Sequence, residues 1–332
     1  MRAILAQSLD GPDGLACVEL PDPDPDSTPG PNEVIVRVAG CALNFMDTLI
    51  TRGRYQIKPE LPFSPGAEIA GTIERIGEAV TGYEVGDRVM AYVGYGGARS
   101  LVSVSADRLV HVPEPIDLTL ASSLTVTYGT ALYALRTRVG LGRAGKKAPV
   151  VAVLGASGGA GMAAVEVAAA LGADVIAAAS TVERAATARP HGANHFIGYR
   201  DADLKQALRD ATDGRGPDII YDCVGDQYAE PALRAIAAGG TYVVIGFAGG
   251  EIPKLPANII LLKDCDVIGI HWGAAIEADV TPHRDNMQFL LDGIVAGRIR
   301  PRPPVVRPLA ETPDAIRDIA ARKVIGKIVV TP

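Results

Sequence analysis

The stretch Val150-Val151-Ala152-Val153-Leu154-Gly155-Ala156-Ser157-Gly158-Gly159-Ala160-Gly161 decides the fold of this 332-residue chain. Its five apolar residues read as a strand. The glycine-rich run leads into an alanine-rich helix over Gly161–Leu171, and a second strand follows at Val175–Ala179. Strand, turn, helix and strand in that order predict a doubly wound parallel sheet. Ala156, Gly158 and Gly161 keep the spacing of the dinucleotide fingerprint, with alanine at its first glycine. The chemistry needs small residues here. Gly158 lets the backbone approach a pyrophosphate, Gly161 lets the helix pack on the strand, and the first-turn N–H groups face the anion. An ordinary glycine turn is the plain alternative, but the flanking strands and helix supply the context the fingerprint requires.

The tip of the second strand selects the cofactor. An NAD enzyme carries Asp or Glu there to hold the ribose 2′-hydroxyl. This chain reads Ala177-Ala178-Ala179-Ser180-Thr181-Val182-Glu183-Arg184, and Asp174 comes too early in the strand. A 2′-phosphate therefore meets no repulsion at Ser180, and Arg184 can take it in a forked contact. NADPH is the expected cofactor, with Glu183 the dissenting residue if it turns inward.

Upstream, short β-type runs are punctuated by Gly and Pro: Val34–Val38, Glu68–Ile76, Arg88–Tyr92 and Leu109–Val112. That spacing predicts a barrel-like β domain. Pro21–Pro31, with Asp between prolines, reads as a surface loop. Downstream, strands are expected at Ile219–Asp222, Thr241–Ile245 and Asp266–Ile270, and the tail adds a helix at Thr312–Ala321 between short strands. The expected division is one discontinuous domain, residues 1–122 with 261–332, around a cofactor domain of residues 123–260.

Composition narrows the function classes. Apolar residues are 48 % of the chain, enough for two cores, and the net charge is −6 without a basic stripe. Arg298, Arg300, Arg302 and Arg307 are broken up by prolines and read as a solvated connection, so no nucleic-acid partner is expected. Cys17, Cys41, Cys223 and Cys265 make no CxxC pair or zinc knuckle. The N-terminal stretch lacks a signal peptide's apolar core, and Met162–Ala179 is interrupted by Glu166, Gly172 and Asp174. A cytoplasmic protein without a membrane partner is expected. His191 and His195 are spaced four apart, but Pro190 and Gly192 break any helix that would aim both at a metal.

Gly66-Ala67-Glu68-Ile69-Ala70-Gly71 with Gly77 and Val80 resembles the G-H-E-x2-G-x5-G-x2-V signature of zinc alcohol dehydrogenases, with Ala67 at the zinc-binding histidine. Asn44 stands where those enzymes carry a zinc-binding cysteine, and no Cys, His or Glu lies between Ala121 and Leu135. Zinc needs three protein ligands, so no metal is expected. The remaining motifs resemble the zinc-independent quinone oxidoreductase and zeta-crystallin branch of the medium-chain dehydrogenase/reductase superfamily. They are N-F-x-D at Asn44–Asp47, R-x-G-x-Y at Thr51–Tyr55, the strand end Ser180–Arg184, I-x-Y-R at Ile197–Arg200, D-x-V-G at Asp222–Gly225 and G-K-I-V before the end. The chain departs from the branch at Glu166, where Gln is preferred, and at Ala169, where Lys or Arg is.

The resemblance, which spans nearly the whole chain, implies a GroES-like β-rich catalytic domain beside a Rossmann domain, and a homodimer joined through a sheet edge near Asp266–Ile270. It implies cofactor contacts at Asn44, Thr130, Ala156, Ser157, Gly158, Gly159, Ala160, Gly161, Ser180, Arg184, Tyr199, Val224, Phe247, His271, Trp272 and Arg322. Without a Lewis acid, a quinone or other α,β-unsaturated carbonyl is the easier hydride acceptor, because conjugation spreads the developing charge. Asn44 is expected to orient the nicotinamide or the substrate carbonyl. Tyr55 is expected to line the pocket, with the proton coming from Tyr55 or water. Asp47, one turn beyond Asn44 on the same face, is the third catalytic candidate, for acid–base work. The plainer readings are an N-cap for Asn44, a rim aromatic for Tyr55 and a structural anchor for Asp47. An enoyl-thioester reductase, a crystallin-like cofactor binder without turnover and an RNA binder are the competing functions.

Overall fold

The computed structural model describes residues 1–21, 29–142 and 148–332, so most of the expected Pro21–Pro31 loop lies outside the described residues. The chain forms two compact units, residues 1–126 with 302–332 and residues 127–301.

The first unit is organised by one long strand, Glu33–Leu43. Its early half pairs with Leu101–Ser105, its end pairs with Ile328–Thr331, and along its other edge it pairs with Glu68–Ile76. The sheet continues outward through Arg88–Tyr92 and Leu109–His111, and through Val305–Pro308 beyond the C-terminal strand. Register shifts at Ile35/Val36 and Val38/Gly40 bend the long strand so that it serves both neighbours. Val34, Val36, Leu43, Ile69, Ile73, Leu109 and Val330 fill the interior. The helix Thr312–Ala320 adds Ala315 and Ile316 to that core. The tail, residues 302–332, thus completes the first unit.

The second unit is a six-stranded parallel sheet. Its order is His195–Gly198, Asp174–Ala179, Val150–Leu154, Ile219–Asp222, Thr241–Val244, Asp266–Gly269. In chain order this is 3-2-1-4-5-6, the doubly wound arrangement of dinucleotide-binding folds. The order in which strands are added reverses between the parallel neighbours Val150–Leu154 and Ile219–Asp222, and the crevice beyond those two strand ends is where such folds bind ligands. Runs of fully buried Val, Ile, Ala and Leu make these strands parallel-sheet material.

The second unit runs past the boundary expected at 260. Asp266–Gly269 pairs with Thr241–Val244 and closes the sheet edge. The helix Thr281–Val295 then fastens to the segment after helix Thr125–Leu132. Arg136 donates to Asn286 at 2.7 Å, Asn286 donates to Thr137 at 3.1 Å, and Arg136 lies over the Phe289 ring. No helix among the described residues is long and apolar enough to cross a membrane.

Candidate functional site

In the second unit, the helix Gly159–Ala170 begins two residues before Gly161, and its first bond runs from Met162 N–H to Gly158. The N–H groups ahead of that ladder have no helical acceptor. A Cβ at Gly161 would stand 2.2 Å from the Gly155 carbonyl oxygen, so helix and strand close on each other only with glycine there. A Cβ at Gly158 would meet only Gly155, at 3.5 Å, and would otherwise fill the space a pyrophosphate needs. This cradle fits a dinucleotide. Ser157 is buried in the turn and accepts from Arg184 Nε at 3.3 Å, which ties the guanidinium to the phosphate loop. Thr181 caps the helix Val182–Ala186 that carries Arg184. Tyr199 N–H bonds to Ala179 and Arg200 N–H to Ser180, so this strand end lies beside Ser180 and Thr181. Asp174 faces the other way in function: it accepts from Asn194 at 2.7 Å and pairs with His195.

Across the switch point, Asp222 shapes the turn that borders the cradle. Its carboxylate accepts from Val224 N–H at 2.7 Å, Gly225 N–H at 3.0 Å and the Tyr242 hydroxyl at 2.5 Å. Burial raises its pKa, and these three donors oppose the rise. Val224 rests against Gly155, where a Cβ would come within 3.1 Å of it, and Phe247 packs on Gly225.

The first unit assembles a second cluster around Asn44. Asn44 precedes the helix Phe45–Ile50, so the cap reading holds for its backbone: Asp47 carboxylate accepts Asn44 N–H at 2.7 Å. The other Asp47 oxygen accepts Gly66 N–H at 2.8 Å. Gly66 has φ of +89°, and a Cβ there would strike the Cys41 sulfur at 2.3 Å, which is why the loop into strand Glu68–Ile76 opens with glycine. Asp47 anchors this corner. Burial lifts its pKa to about 6, against the pull of the two backbone N–H groups and Lys327.

The Asn44 side chain is committed elsewhere. Its Nδ2 donates to Glu68 Oε1 at 2.9 Å, and its Oδ1 accepts from Lys327 Nζ at 2.6 Å. Lys327 also donates to Glu68 at 2.8 Å and to the Leu43 carbonyl at 3.0 Å. Glu68 is fully buried, and its second oxygen takes Val126 N–H at 2.8 Å. The expected pair of amide hydrogens on Asn44 is therefore reduced to one uncommitted hydrogen. Glu68 and Lys327 are the two members of this cluster not assigned from sequence. The available signal was an ionisable residue amid apolar strand residues, Val324-Ile325-Gly326-Lys327-Ile328-Val329, which must find a partner when the strand is buried.

Tyr55 is half-buried against Ala6, Ile50 and Phe63, and burial first and the Asp47 charge second raise its pKa, so its hydroxyl keeps its proton. Thr130 is half-buried in helix Thr125–Leu132. Trp272 is buried rather than open, packed on Gly129 and edge-on to His283, while the preceding His271 is exposed. Arg322 lies in the first unit on an exposed turn with φ of +56°. Glu166, the departure from the branch, is a buried acceptor hub: it takes the Tyr128 hydroxyl, His191 Nδ1 at 2.9 Å and Arg300 N–H at 3.1 Å. His191 and His195 thus bind different carboxylates.

Comparison with known proteins agrees with both halves. Residues 30–114 match the alcohol dehydrogenase GroES-like domain, and residues 159–287 match the zinc-binding dehydrogenase family. Quinone oxidoreductase-like protein 2 homolog of Nematostella vectensis is 36 % identical over 304 residues, 91 % of this chain and 82 % of that one. Quinone oxidoreductase of Pseudomonas aeruginosa is 34 % identical over 96 % of this chain and 97 % of its own. The crystal structure of Escherichia coli quinone oxidoreductase complexed with NADPH superposes with a TM-score of 0.90 at 27 % identity, covering all of both chains. The chain belongs to the quinone oxidoreductase-like family of oxidoreductases within the medium-chain dehydrogenase/reductase superfamily.

Proposed function

We propose that this protein is an NADPH-dependent reductase that delivers hydride to a quinone or another α,β-unsaturated carbonyl. The observation that carries the reading is the phosphate turn with Arg184 held on Ser157 and no carboxylate at Ser180. An anion on that turn meets helix N–H groups and a guanidinium together, and a 2′-phosphate is the natural partner of the latter. The bound dinucleotide supplies the hydride. Val224 and Phe247 border its cradle, Tyr199 approaches from beside Ser180, and Gly158 allows close backbone approach. Ala156, Gly159, Ala160, Thr130, His271, Trp272 and Arg322 complete the proposed cofactor set.

Asn44 offers its uncommitted amide hydrogen to an oxygen that gains negative charge, and Tyr55 offers a protonated hydroxyl on the same unit. Asp47 holds the helix start and does not itself move the proton. A divalent ion on Asn44 and Glu68 would have to displace an ammonium already bonded to both, which supports chemistry without zinc. Conjugated acceptors suit such a site. The edge strand Asp266–Gly269, with Leu261, Leu262 and Ile252 exposed nearby in the chain, supports a homodimer. Four unpaired cysteines suit the reducing cytoplasm.

The test is loss of reduced-nicotinamide absorbance with NADPH and NADH against a panel of quinones, enones and enoyl-CoA esters. The reading expects turnover of quinones or enones with NADPH preferred. Cofactor binding without turnover on any acceptor, or RNA binding that persists at raised salt, would overturn it.

A further inference from the structure

We propose that Lys327 is a positioning residue that sets the polarity of Asn44, an inference that rests on the reductase reading for its catalytic consequence. All three ammonium hydrogens are spent, on Leu43 O, Asn44 Oδ1 and Glu68 Oε1, so Lys327 acts on a substrate only through its neighbours. The carboxamide lies between a cation and an anion. Oxygen toward Lys327 and nitrogen toward Glu68 gives two charge-assisted bonds. The flipped amide would set NH2 against the ammonium and oxygen against the carboxylate. The pair therefore admits one orientation and leaves one Nδ2 hydrogen, of fixed direction, for an incoming carbonyl oxygen.

The backbone delivers this arrangement. Ile328 pairs with Leu43 and Glu68 pairs with Ala42 across the same strand, so the residues that follow and precede these partners meet at the strand end. The Lys327 side chain is 10 % exposed and that of Glu68 is not exposed at all, so the bonds are little weakened by water.

The test uses the full-length chain. In Lys327→Met, kcat should fall about 100-fold, the cost of losing one preorganised donor, while the NADPH dissociation constant stays within about twofold. In an Asn44→Ala background the same substitution should cost almost nothing further. Activity of Lys327→Ala should be partly restored by propylammonium and not by propanol. Lys327→Met/Glu68→Gln leaves no unpaired charge and should show the same loss if the single variant does not fold. Independently of turnover, wild-type protein labelled with heavy nitrogen in its five asparagines should show two Asn44 amide hydrogens with unequal exchange rates. That inequality should shrink in the charge-free double variant, where the bond to residue 68 loses its charge assistance. Equal exchange in the wild type, additive costs, or rescue by propanol would overturn the proposal. A wild type silent toward every acceptor would instead sink the reductase reading, and the exchange measurement would still decide the role of Lys327.

Discussion

Asp47 gives the sharpest physical test, because its carboxyl is 1 % exposed and yet acidic by type. Burial lifts its pKa from 3.8 to about 6; Asn44 N–H, Gly66 N–H and Lys327 lower it, and Glu68 raises it. The unfolded chain keeps the ordinary value, so the folded chain binds this proton more tightly. The resulting stabilisation is full below pH 3.8 and is lost as pH rises through about 6. A shift of about two units at about 1.4 kcal/mol each amounts to about 3 kcal/mol. Asparagine at 47 does not titrate. It can accept only one of the two backbone N–H bonds, a cost of about 1 kcal/mol that is the same at every pH. Urea unfolding of wild type and Asp47→Asn between about pH 4 and 7.5, followed by circular dichroism, isolates the effect. Groups common to both proteins cancel in the difference. The variant should gain about 2.5 kcal/mol on the wild type across that range. A pH-independent difference, or a wild type that gains with rising pH, would refute the burial argument.

Three further outcomes follow from the geometry. His283 is 3 % exposed, neither ring nitrogen has a partner, and burial first and Arg284 second lower its pKa to about 4. Its stabilisation is therefore present above pH 6.5 and lost as pH falls through about 4. His283→Phe, which keeps a ring against Trp272, should resist acid unfolding by about 3 kcal/mol more than wild type at low pH. Gly161→Val should weaken NADPH binding more than about tenfold in a fluorescence titration, since its first side-chain carbon already meets Gly155 O at 2.2 Å. Arg184→Ala should raise the NADPH dissociation constant about 10- to 100-fold, the loss of a charged hydrogen bond, and leave that for NADH nearly unchanged.

Much of the architecture is legible in local order. The strands Glu68–Ile76, Arg88–Tyr92, Val150–Leu154 and Ile219–Asp222 form at the residues their β-type runs mark, because each is an uninterrupted apolar or alternating segment between turn residues. The phosphate turn is legible for the same reason: its function requires glycine at close-packed positions, and glycine is visible in a sequence. The boundary at 260 misplaced the end of the second unit because the attachments of 266–301 are pairings made with residues far upstream, such as Asn286 with Thr137. The buried seat of Trp272 on Gly129 was not legible either, because it joins residues far apart in the chain that only packing brings together.

What the sequence by itself determined is whatever depends on neighbours along the chain: the alternation of strands and helices, the glycine cradle, and the absence of a carboxylate at Ser180. What only the tertiary structure decided is the set of partners around Asn44. Lys327 lies 283 residues from Asn44 and Glu68 lies 24 away. They meet because strand register places three chain segments side by side, and a hydrogen bond depends on distances of about 3 Å in space rather than on separation along the chain.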